Sequence, residues 1–133
     1  MRIGLDTSVV LRLLTGEPAS LALLAARRVE SSLRGGDTVL VSDLVVSEAY
    51  FALQHHFGLS KARALEVLGE FLRQSGIEAA GSAGRILGLP NLALARPGLV
   101  DRLIHGEYLG VADEMLTFEK AAARLPRARV LRA

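Results

Sequence analysis

Residues 1–14 read MRIGLDTSVVLRLL: an apolar run of strand length, then Asp6, Thr7 and Ser8, then apolar residues at helical spacing. Arg2 to Leu5 predicts a short buried strand. Asp6, Thr7 and Ser8 supply the side-chain oxygens that cap a helix start. The helix runs through Leu14, with Gly16 and Pro18 ending it. The same grammar returns further on. Thr38 to Ser42 is a β-branched run that predicts a second strand, and Asp43 stands as the N-cap of a helix that reaches Phe57 and stops at Gly58.

Between these two units, Leu21, Leu24, Ala25 and Val29 keep helical spacing from Pro18 to Leu33, and Gly35 and Gly36 terminate the element. Ser60 starts a further helix closed by Gly76, and Ile77 to Ala80 predicts a third strand. From Gly81 to Pro97, glycine and proline recur too often for any period to emerge. A helix over Gly98 to Leu109, a strand over Glu114 to Phe118, a short helix over Lys120 to Leu125 and a last strand over Ala128 to Leu131 complete the chain. Strand and helix alternate without hairpin signals. The expected fold class is therefore α/β, with a central, mostly parallel sheet flanked by helices on both faces. No repeat, linker or change of composition divides residues 1–133, so one domain is expected.

With 50% hydrophobic and 23% charged residues, the composition is that of a folded globule. The chain has no cysteine, which excludes disulfides, thiolate metal sites and cysteine nucleophiles. Any metal must bind through oxygen or imidazole. Asp6 and Arg12 interrupt the apolar N-terminus, and no apolar run reaches the ~18 residues of a membrane span, so a soluble, cytoplasmic protein without membrane contact is expected. The net charge of +2 permits nucleic-acid binding without demanding it. No GxxxxGK[ST] loop is present, and no GxGxxG opens a helix after the first strand, which removes the usual cradles for nucleotides. Phosphotransfer of the haloacid-dehalogenase kind is disfavoured because Ser8 stands where the second aspartate would be.

Attention then falls on acids in unusual places. Ligands of open parallel sheets bind beyond the carboxyl ends of the strands, where Asp6, Asp43 and Glu119 stand. Glu48 in LVVSEAYFAL and Asp101 in GLVDRLI sit within apolar helical segments, where a buried acid is rare unless paired or metal-bound. Carboxylates gathered from separate elements repel, and a divalent cation of the Mg²⁺ or Mn²⁺ type relieves that repulsion. Each acid also has an ordinary reading as a cap, a first-turn acid or a solvated side chain, and capping is the better reading of Asp43. His105, one turn after Asp101, is read as a surface or supporting histidine, and His55 and His56 as favourable charges at a helix C-terminus.

Four segments, LDTSVVLRLL, VVSEAYFAL, LVDRLIHGEYLG and MLTFEKAAARLP, resemble in order and spacing the successive motifs of PIN-domain ribonucleases, and specifically the VapC-like toxins of type II toxin–antitoxin systems. The resemblance implies a PIN-like fold and a metal-dependent endoribonuclease leaving 5′-phosphate and 3′-hydroxyl ends. It further implies an acidic cluster of Asp6, Glu48, Asp101 and Glu119, with Asp6, Asp101 and Glu119 as ligands of Mg²⁺ or Mn²⁺ and with Thr7 and Thr117 as hydroxyl partners. RNA substrate, a cognate antitoxin and a homodimer follow from the same resemblance. Glu119 departs from the aspartate usual at that position, and its longer side chain moves the carboxylate. The alternative expectation is a non-catalytic PIN-fold module that binds RNA or protein.

Overall fold

The computed structural model describes residues 1–132. Strand β1 (Arg2–Gly4) leads through the exposed Asp6 into α1 (Thr7–Thr15). The Asp6 side chain accepts from the Ser8 N–H as the sequence requires, and Gly16, in the left-handed region at φ 71°, closes the helix by donating to the Arg12 carbonyl. Helix α2 (Ala19–Arg34) returns to β2 (Thr38–Val41), which is followed by α3 (Asp43–His55). The N-cap of α3 is Ser42, whose hydroxyl accepts from the Val45 N–H; Asp43, expected in that role, is the first helical residue instead. Ser60 caps α4 (Lys61–Leu72) in the same way, through the Arg63 N–H.

Strand β3 (Ile77–Ala79) and helix α5 (Ala83–Leu87) follow, then a 3₁₀ turn at Leu92–Leu94. These last two elements lie in the glycine- and proline-punctuated stretch that carries no sequence period. Helix α6 (Leu99–Leu109), β4 (Met115–Thr117), a 3₁₀ segment (Lys120–Arg124) and β5 (Ala128–Val130) end the described chain. Among the described residues, no single helix is long and apolar enough to cross a membrane.

All strand pairings are parallel, as expected for an α/β chain without hairpins. The sheet is nevertheless not one central layer. β1, β2 and β3 form a three-stranded sheet in that order, while β4 and β5 pair separately. The C-terminal segment is tethered to α6. The Arg127 guanidinium donates to the carbonyls of Leu109 (2.7 Å) and Ala112 (3.4 Å) at the end of α6, and the His105 ring contacts the Pro126 carbonyl through Nε2 at 2.7 Å. The turn into β5 thus belongs to α6. Strands of three residues offer few ladder hydrogen bonds with which to compete.

The main core gathers around α3. Val46, Ala49 and Leu53 meet Val39 and Val41 of the middle strand β2, Val10 of α1, Leu68 of α4, Ile86 of α5 and Leu99 of α6. β1 is an edge strand and is more open than its sequence suggests: Arg2 and Gly4 are exposed. Ala122 and Leu125 are buried in the C-terminal segment, outside the main cluster.

Candidate active site

The four acids singled out by the sequence are all exposed. For Glu48 and Asp101, of the two readings that the sequence allows, it is the solvated one that the structure shows. The exposed face of α3 itself carries Leu44 and Phe51, and that of α6 carries Val100, Ile104 and Tyr108, so apolar flanking residues there do not signify core. The acid that is buried is Asp43. Its carboxylate accepts from the Ser82 and Ala83 N–H groups, each at 2.9 Å, and so caps α5 across a loop rather than its own helix. A Cβ at Gly81 would collide with that carboxylate, which gives this glycine a packing role.

The four exposed acids fall in two regions, Asp6 and Glu48 linked through the neighbouring Thr7, and Asp101 and Glu119 sharing one cleft. At the start of α1, Asp6 Oδ2 accepts from the Ser8 hydroxyl at 2.7 Å and from the Ser8 N–H at 3.4 Å. The Ser8 hydroxyl, followed by the Ser8 N–H, holds the Asp6 carboxyl below its ordinary acidity range, so the group stays ionised to lower pH. Beside it, the Thr7 hydroxyl donates to Glu48 Oε1 at 3.2 Å and ties α1 to α3. Ser8 is thus a partner of Asp6 that sequence reasoning saw only as capping chemistry; the Asp-x-Ser spacing is its one signal.

Asp101 in the first turn of α6 and Glu119 just beyond β4 mark the second region, converging on one cleft of about 240 Å³. Ile104, Tyr108, Leu116 and Thr117 make up much of the rest of its lining. The Thr117 hydroxyl accepts from the Glu119 N–H at 3.0 Å, fixing the backbone, while the Glu119 carboxylate makes no capping bond. α3 packs against both α1 and α6 and so links the two regions.

None of the four acids forms an ion pair among the described residues, although the chain carries 16 lysines and arginines. Several of those cations are engaged elsewhere, as Arg127 is on carbonyls and Arg129 is on Glu114. The donor chemistry of Asp101 and Glu119 suits Mg²⁺, which is commonly held by one or two carboxylates while keeping several waters. A larger cage is not assembled: no group of three His, Asp or Glu side chains converges to hold a metal among the described residues. His105 is buried against Pro126 rather than on the surface, and its place is explained by that contact. His55 lies in the last turn of α3 and His56 at its C-cap, where the helix dipole favours them. No protein-family profile, curated protein or solved structure matches the chain.

Proposed function

We propose that the protein is a PIN-like, Mg²⁺- or Mn²⁺-dependent endoribonuclease, the toxin of a type II toxin–antitoxin pair. The observation that carries this reading is the convergence of Asp101 and Glu119 on one cleft without a neutralising cation. The four-motif resemblance and the parallel α/β architecture support it.

In this reading Asp101 and Glu119 hold the cation. Glu48, oriented by the Thr7 hydroxyl, positions the attacking water, and Asp6, kept ionised by Ser8, is the further carboxylate that the resemblance assigns to the cation. The cation, when bound, supplies positive charge for the phosphodiester oxygens and eases ionisation of water. The antitoxin and homodimer proposals draw their support from an apolar groove of about 550 Å³ between α1 and α2. Val9, Leu21 and Leu24 line it, together with Arg12 and Arg28.

A non-catalytic RNA- or protein-binding module is the second reading, favoured by the absence of a three-carboxylate cage among the described residues. Incubation of a mixed RNA pool with Mn²⁺ or with EDTA separates the two. Cleavage in Mn²⁺ that disappears in EDTA and in Asp101→Asn supports the nuclease; retardation of intact RNA under every condition supports the module.

A further inference from the structure

The residues on either side of Glu119 in the chain line a second cleft of about 560 Å³, formed by Phe118, Lys120, Ala123, Val130, Leu131 and Arg132. Its volume falls in the ~300–1,000 Å³ range of small-ligand sites. Phe118 is 79% exposed, the most exposed aromatic ring among the large hydrophobics of the described chain. A ring displayed to water at a strand end contributes nothing to the core, and the strand pairing of β4 with β5 does not use its side chain. Apolar walls from Val130 and Leu131, two cations and no acid among the lining residues define the chemistry of the cleft.

An aromatic platform bordered by cations matches a flat ring joined to an anion. A nucleotide of an unpaired strand has that composition: the base stacks on the ring and the phosphate meets lysine or arginine. A duplex does not, because its bases are already stacked on one another. We infer that this cleft is a base-stacking subsite for single-stranded RNA, with Phe118 as platform and Lys120 and Arg132 as phosphate contacts. The inference rests on the nuclease reading for its choice of RNA. Glu119, between Phe118 and Lys120 in the chain, lines the neighbouring acidic cleft, so a strand anchored here lies beside the proposed hydrolytic residues.

The chain has no tryptophan, so Phe118→Trp introduces its one indole at the platform itself. The probe is a fluorescein-free single-stranded RNA octamer of mixed sequence, added in EDTA so that binding is read without cleavage. Quenching of the indole by the octamer, with little effect of the corresponding RNA duplex, is expected. A labelled octamer followed by anisotropy should bind Phe118→Ala about tenfold more weakly than wild type, while Phe118→Tyr keeps affinity. Lys120→Gln should reduce the slope of log affinity against log salt by about 0.7. Wild-type affinity in Phe118→Ala, equal affinity for duplex, or equal competition by polyglutamate would overturn the inference, the last by making the cleft a docking surface for acidic protein. Cleavage in Mn²⁺ is recorded in parallel. Ring-dependent binding without cleavage removes the nuclease and keeps the subsite, whereas cleavage with ring-independent binding removes the subsite and keeps the nuclease.

Discussion

Replacing Asp43 is the sharpest test of the assignment of buried and exposed acids. Asp43 is 8% exposed, and its carboxylate accepts two backbone N–H groups at the start of α5. Asp43→Ala removes both acceptors and leaves two donors at the mouth of a small void. Hydrogen bonds to a charged group are worth about 1.5–3 kcal/mol each, and water entering the void recovers part of that. A net loss of about 2–4 kcal/mol follows. The unfolding entropy of a 133-residue chain is about 0.28 kcal/mol/K, so Tm should fall by roughly 7–14 °C. Asp43→Asn retains one acceptor oxygen and should lose about half as much. The assay is far-UV circular dichroism during thermal and urea unfolding, which suits a helix-rich chain without tryptophan. Asp101→Asn, at an exposed position, serves as the control and should shift Tm by no more than about 2 °C. A loss below about 1 kcal/mol in Asp43→Ala, or an equal loss in Asp101→Asn, would refute the argument that Asp43 is the structural acid and Asp101 the available one.

Asp6→Asn and Asp101→Asn should each abolish Mn²⁺-dependent RNA cleavage while leaving the circular dichroism spectrum unchanged; full cleavage by either variant counts against the site. Binding of the cation to the native state alone should stabilise it by about 2.7 kcal/mol at 100 times its dissociation constant, a rise in Tm of about 10 °C. Glu119→Gln should shrink that rise and Glu119→Asp should preserve activity, as seen by melting with and without Mn²⁺ and by cleavage. The Asp6 carboxyl titrates below its ordinary value because ionised Asp6 is hydrogen-bonded in the folded state. Its contribution to stability is therefore present above the unfolded-state value and is lost as pH falls through the folded-state value. Ser8→Ala should move the Asp6 titration upward in a carbon-detected NMR titration of the side-chain carboxyl, and an unmoved titration would remove Ser8 as the cause.

Most elements follow from interactions between residues close in the chain. Asp6 and Ser60 cap helices through N–H groups two and three residues away, and Gly16 ends α1 by the left-handed turn that its missing Cβ permits. Apolar period and β-branched runs locate β1, β2, α2 and α6 within a residue or two. The alternation of strand and helix then leaves parallel pairing as the outcome. What remained outside local reach depends on partners far along the chain. That Asp43 caps α5 rests on Ser82 and Ala83, about forty residues away; the cap of α3 by Ser42 rather than Asp43 is local and differs from the sequence reading by one residue of phase. Helix α5 lies in the glycine- and proline-punctuated stretch without period, and that remote carboxylate accepts from its first N–H groups. The candidate acids were legible as acids at strand ends and in apolar helices, but not their exposure, because helix faces bearing Leu44, Phe51, Val100 and Ile104 remain uncovered. Nor was their grouping legible. Glu48 meets Thr7, the chain neighbour of Asp6, and Asp101 shares a cleft with Glu119, while His105 and Arg127 fasten the β5 turn to α6 and β4 pairs with β5 apart from the first sheet. Capping and periodicity act over a few residues and are written in the sequence as short patterns. Burial and strand partnership are decided by competition among all surfaces of the folded chain, and only the tertiary structure records its result.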